Sequence, residues 1–145
     1  MDFLPYFNSP QGDRSKFHIR ELFAAKPEYM GYIGSVMSST LFFYWFFASG
    51  NCRNLTLDDV TKFPIGNPNI KLLMATKSLF KKLMENYKFN SEIKNRGKSE
   101  FQEFNWIKSK PIVDQIDEVI SGHFGLSIEE TDFIINYDIK YRIGK

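Results

Sequence analysis

Apolar and polar positions divide the chain into segments of different period. From Tyr29 to Cys52 there is no charged residue, and Met30, Ile33, Met37, Leu41, Tyr44 and Ala48 recur at three- and four-residue steps, the period of one helix face. Pro27 suits the start of that helix and Gly50-Asn51 its end, where residues tolerant of positive φ are usual. Gly31, Ser35 and Ser38 fall on another face, where small side chains admit a close neighbour. A second helix is predicted where Leu73, Leu79, Phe80, Leu83, Met84 and Tyr87 form an apolar stripe opposite Lys77, Lys81, Lys82 and Lys88, with Asn67-Pro68 as its cap and first-turn proline. A third starts at Pro111, behind Ser109 or Lys110, and buries Ile112, Ile116, Val119 and Ile120 until Gly122 and Gly125 break it. Thr56, with Asp58 and Asp59, caps a brief helix that must end before Pro64, and the capping box Ser127-x-x-Glu130 opens a last one through Phe133, Ile134 and Tyr137.

Alternation of period two is weaker. Phe17 to Phe23 suits a short half-buried strand, and Glu100 to Ile107 a second whose inner face is ambiguous. Asn54-Leu55-Thr56 reads as a short extended piece, and the polar stretch Asn90 to Lys98, which holds Gly97, as a loop. The expected architecture is a single α+β domain over residues 1–145, predominantly helical, with about five helices and two or three short strands.

A chain of 145 residues buries one core and has no room for a catalytic domain beside a recognition domain. The aromatic share, 17%, is high, so aromatic surface can remain for a partner. Cys52 is the only cysteine, which excludes a disulfide framework and a thiolate metal cluster and fits a reducing cytoplasm. Met1 to Pro10 lacks the basic start of a signal peptide. Only Leu41 to Ala48 is continuously apolar, so the aromatic helix is expected in a core and not in a membrane.

Charge is unevenly placed. Residues 71–110 carry ten basic and four acidic side chains, a local +6, whereas residues 111–145 carry three basic and seven acidic ones, a local −4. The basic third suits phosphate contact, and equally a solvated helix face.

Catalytic chemistry finds little foothold. No glycine-rich turn joins a strand to a helix, and Gly122 and Gly125 read as helix-end glycines. Asn67-Pro68 shares two residues with the Asn-Pro-Pro-aromatic motif of adenine methyltransferases but lacks the second proline and the aromatic, so the cap reading is preferred. His18 and His123 have no ligand partners nearby in sequence. Glu92-Ile93-Lys94 and Asp138-Ile139-Lys140 match the acid-x-Lys piece of magnesium nucleases, but fall in a predicted loop and at a helix end. Binding features remain. Asn51, Arg53 and Asn54 follow the aromatic helix with side chains that can pair with base edges, although the asparagines also suit a turn. Lys88, Lys94, Arg96 and Lys98 lie in or beside a connection suited to phosphates.

Two blocks, residues 38–65 and especially 109–144 with its terminal DFIINYDIKYRIG, resemble the C-terminal end of type II restriction–modification adenine-specific DNA methyltransferases. The resemblance implies a target-recognition region that binds double-stranded DNA around a flipped base, with S-adenosylmethionine, the catalytic motif and any nuclease in a part upstream. It implies no cofactor or metal in this chain. A methyltransferase or restriction subunit is the implied partner. Target-recognition residues differ between members of that family, so no base contact is carried over by position. The alternative is a protein-interaction domain that docks its aromatic helix and its C-terminal helices on a larger subunit without touching DNA, which exposed Phe42, Phe43 and Phe46 would favour.

Overall fold

The computed structural model describes residues 3–10, 21–49 and 55–139. Among them it holds six α-helices and one three-stranded antiparallel sheet, the predominantly helical α+β arrangement that the sequence patterns predict. In chain order these are β1 (Phe7–Asn8), α1 (Met30–Ser38), α2 (Thr40–Ser49), α3 (Leu57–Lys62), α4 (Ile70–Phe89), β2 (Ser91–Arg96), β3 (Ser99–Phe104), α5 (Trp106–Phe124) and α6 (Ile128–Asn136). A short 3-10 helix, Pro27–Tyr29, leads into α1. No helix among the described residues is long and apolar enough to cross a membrane.

The core lies where α1, α4 and α5 pack on one another, around the fully buried Tyr32, Val36, Leu83, Met84, Ile116 and Ile120. The small residues of α1 do what their spacing suggests. A Cβ on Gly31 would sit 2.6 Å from the Lys77 Cα, so glycine is what lets the two backbones cross this closely. Beside it the Ser35 hydroxyl donates to the Thr76 carbonyl of α4 at 3.0 Å. Ser38 does not share this crossing and instead lines a cleft of about 350 Å³ with Met37, Phe43 and Trp106.

The uninterrupted helix expected over Tyr29–Cys52 is corrected. It breaks at Ser39, whose backbone is extended (φ −78, ψ 157). The Ser39 hydroxyl accepts the Phe42 amide at 3.0 Å, capping α2. From α5 the Asp117 carboxylate accepts the Thr40 and Leu41 amides at 2.8 and 3.3 Å. Helix N-termini leave such donors unsatisfied, and a buried carboxylate meets both the hydrogen bonds and the positive end of the dipole. The expected end of that helix at Gly50-Asn51 lies outside the described residues.

Other boundaries move by a few residues. The cap of α4 is Asn69, whose side chain accepts the Leu72 amide at 2.9 Å, and not Asn67. Helix α5 starts at Trp106 behind Asn105, which accepts the Lys108 amide at 3.2 Å, so Pro111 lies inside the helix and does not open it. Gly122 lies within α5, and Gly125, at φ 73, ends it. The capping box predicted at Ser127 forms with Glu130, and Thr56 caps α3 as expected, in the structure through a reciprocal box with Asp59. Of the strand expected over Phe17–Phe23, residues 17–20 lie outside the described residues, and Glu21, Leu22 and Phe23 are exposed without regular structure. Lys110 ties α5 to α6: its ammonium contacts Asp114 and donates to the Ile135 carbonyl at 3.0 Å.

Candidate nucleic-acid interface

The stretch Asn90–Lys98, expected as a loop, is the largest correction: it forms β2 and a tight turn, and it carries the basic candidates. Strand β2 pairs antiparallel with β3 from Ser91↔Phe104 to Arg96↔Ser99, and β1 adds to the other side of β3, in the order β1-β3-β2. Gly97-Lys98 is the whole connection. Gly97 has φ +65 and Lys98 does not, the pattern of a two-residue turn with glycine first, which matches the twist of the flanking strands. The ribbon is anchored at its base, where the Phe104 ring meets Tyr87 of α4 and Phe3 at centroid distances of 5.3 and 6.0 Å. Polar bonds hold the β1 side: Tyr6 and Asn8 both donate to the Glu100 carboxylate, at 3.0 and 3.1 Å. These bonds hold Glu100 below the usual carboxylate range.

Strand geometry then sorts the charges. Glu92, Lys94 and Arg96 alternate onto one face, which Ser99, Phe101 and Glu103 share through their register. On that face Lys94 is engaged by Glu92 at 2.8 Å. The pairing lowers the Glu92 pKa and raises that of Lys94, each mainly through their mutual hydrogen bond. Arg96 and Lys98, exposed at the free end of the ribbon, have no acidic partner among the described residues. Lys88 lies apart, in the last turn of α4, with its ammonium 4.9 Å from the centre of the Phe3 ring. The structure therefore brings Lys94, Arg96 and Lys98 together and leaves Lys88 beyond the ribbon's base. Asn51, Arg53 and Asn54 lie outside the described residues.

The rest of the basic third is mixed. Lys71, Lys77, Lys81, Lys82 and Lys88 are all exposed along α4, with Lys81 3.8 Å from Glu85 and Lys82 hydrogen-bonded to Gln115 at 3.4 Å. Lys110 is largely buried against Asp114, so it is structural and unavailable to phosphate.

The catalytic candidates resolve differently. Glu92-x-Lys94 lies on a strand and not in a loop, but Glu92, Lys94 and Glu103 are all exposed on an open ribbon, with Glu92 occupied by Lys94. His123 is packed edge-on to Tyr32 and Phe124, its Nε2 3.4 Å from the Ile65 carbonyl, and so serves the core. The Tyr32 hydroxyl donates to that same carbonyl, and burial pushes its pKa up to about 12. Among the described residues no group of His, Cys, Asp and Glu could hold a metal ion. His18 and Cys52 lie outside them.

Of the aromatic residues offered for protein docking, Phe42 is buried and Phe43 and Phe46 are half-buried. What the aromatic region exposes is Phe47 of α2 and Phe133 of α6, each in ring contact with Tyr137. No family model, curated protein or solved structure matches the chain.

Proposed function

We propose that the chain is a duplex-DNA recognition module that acts with a methyltransferase or restriction subunit, and that the end of the β2–β3 ribbon makes the contact. The observation that carries this reading is the pair Arg96 and Lys98, exposed at a two-residue turn with no salt bridge to an acidic side chain among the described residues. A two-stranded ribbon fits the major groove, about 12 Å wide, and arginine and lysine at its tip reach phosphates or guanine edges. Lys94 contributes less, because Glu92 already satisfies it.

Fluorescence anisotropy of the whole chain with a labelled duplex over a salt series tests this. Each phosphate contact contributes about 0.9 to the slope of log affinity against log salt, so Arg96→Ala/Lys98→Ala is expected to flatten the slope by about 2. Lys94→Ala is expected to change it little. An unchanged slope in the double variant, with the far-UV CD spectrum retained, overturns the assignment.

The protein-interaction reading draws support from Phe47 and Phe133, both exposed and each in ring contact with Tyr137. Its distinguishing outcome is association with a catalytic subunit that depends on those rings and survives neutralisation of Arg96 and Lys98.

A further inference from the structure

Strand β2 is an edge strand, since β3 pairs with it on one side and no described segment pairs with it on the other. The two-residue turn makes Arg96↔Ser99 a hydrogen-bonded pair, and alternation from there gives Lys94↔Phe101 and Glu92↔Glu103 the same character. The intervening residues Ser91, Ile93 and Asn95 therefore direct their N–H and C=O groups to the open edge. The β1 side of β3 fits this parity, because the Gln102 amide there donates to the Tyr6 carbonyl at 3.0 Å. Ile93 is the only large apolar side chain of β2 and is 51% exposed.

An open edge of this kind accepts another strand, and the sequence of β2 selects which one. Placing a second β2 antiparallel about a two-fold axis at Ile93 sets Ile93 opposite Ile93 of the second copy and Ser91 opposite its Asn95. Both are pairs whose outward groups can exchange hydrogen bonds. The same register sets Glu92 opposite Lys94 of the second copy, and Lys94 opposite its Glu92, at the non-hydrogen-bonded positions where side chains come closest. A shift by two residues in either direction keeps the ladder but puts Lys94 against Lys94 or Glu92 against Glu92, which is repulsive. Lysine on an exposed edge discourages indiscriminate pairing, and here the discrimination leaves one self-complementary arrangement.

We infer that the β2 edge is a self-association surface, on which a second copy of this chain pairs about a two-fold axis at Ile93 to join the two sheets into one. Symmetric, isologous contacts of this type are the commonest route to a dimer. The inference stands on the edge and its charges and does not require the DNA-binding reading.

Sedimentation equilibrium of the full chain at roughly 0.1–1 mM, the range where small interfaces associate, tests it. The wild-type chain is expected to approach twice its 17.0 kDa mass as concentration rises. Glu92→Lys and Lys94→Glu are each expected to remain monomeric, because each places like charges across the axis. Mixing the two variants is expected to restore the dimer, because a chain with cations at both positions then faces a chain with anions at both. The mixture is decisive because the intrachain Glu92–Lys94 pair is broken in both variants, so any recovery is intermolecular. Ile93→Pro, which removes an outward N–H and no bond within the ribbon, is expected to abolish association with the CD spectrum kept. A wild-type chain that stays monomeric throughout, or a mixture that does not recover while the wild type dimerises, overturns the inference.

Discussion

Helices α4 and α5 and strands β2 and β3 are both antiparallel pairs, and they are joined end to end, yet they hold together for different reasons. Across the helix pair, Lys82 meets Gln115 at the surface and Asn86 meets the buried Ser109, but the interface between them is filled by Leu83, Met84, Ile112 and Ile116. In the ribbon no residue is buried; every one from Ser91 to Phe104 is exposed or intermediate. The helical body is an apolar structure with polar fastenings, and the ribbon is a backbone structure whose side chains are left for other uses. Residues that carry stability and residues available for binding are thus separated along the chain at Asn90 and Asn105, whose backbone groups pair at 3.1 Å to close the ribbon's base.

The contrast is sharpest for two isoleucines. Ile116 is fully buried, so Ile116→Ala removes its transfer free energy and leaves a cavity; a loss of about 2–5 kcal/mol in urea denaturation is expected. Ile93, half-exposed on the ribbon, should lose no more than about 0.5 kcal/mol on the same change when measured on the monomer. Equal losses would mean that the ribbon belongs to the cooperative core.

The next effect is polar and lies within the body. Burial pushes the Asp117 pKa up to about 6 against the bonds from Thr40 and Leu41, which pull the other way, and nearby Asp114 raises it further. The second carboxylate oxygen and the hydroxyl of Ser121, one turn along α5, are both buried without a partner among the described residues. A carboxyl whose folded pKa exceeds its unfolded value, near 3.8, binds its proton more tightly when folded. Its contribution is therefore greatest below pH 4 and is lost as pH rises through 6. Asp117→Asn keeps an acceptor for the two amides and does not titrate. The stability difference between wild type and this variant is expected to move by about 2–3 kcal/mol between pH 4 and pH 7, against the wild type at the higher pH. Using the difference removes the surface carboxylates, whose lowered pKa values give slopes of opposite sign. A difference that does not vary with pH would show that Asp117 stays charged in the fold.

The same division explains what could be read from sequence. The stripes of α4 and α5, the Thr56 cap, the Ser127 capping box and the small face of Gly31 and Ser35 are local patterns, and each formed nearly where its residues predict. The break at Ser39 was illegible because half of its cause, Asp117, is 77 residues from the Thr40 amide that it binds. Strand β3 overlaps the strand expected over Glu100–Ile107, but β2 has a single large apolar residue and so no alternation to detect, although Gly97-Lys98 between two polar runs is a hairpin signal in its own right. Lys94, Arg96 and Lys98 are legible as candidates, but their arrangement is not: Lys94 and Arg96 share a face only because they are two apart on a strand, and the attenuating Glu92 joins them by the same rule.

The smallest effect tests whether the ribbon is a separate unit. Gly97 holds φ +65, open to solvent with nothing near the position of a Cβ, so substitution there meets backbone strain and no clash. Gly97→Val is expected to cost about 1–2 kcal/mol, the penalty of an L-residue in left-handed backbone. Because the ribbon adds little to the body, that strain should appear as local opening and not as global unfolding. Hydrogen exchange is the measurement. In the native ribbon the amides of Glu92, Lys94 and Arg96 face β3 and should be protected, while those of Ser91, Ile93 and Asn95 should exchange freely in the monomer and slow only as concentration rises and the edge pairs. Gly97→Val should erase the first protection and the concentration dependence together, and leave α4 and α5 unchanged. Loss of protection in those helices as well would make the turn part of the fold's cooperative unit and the division between body and ribbon one of composition alone.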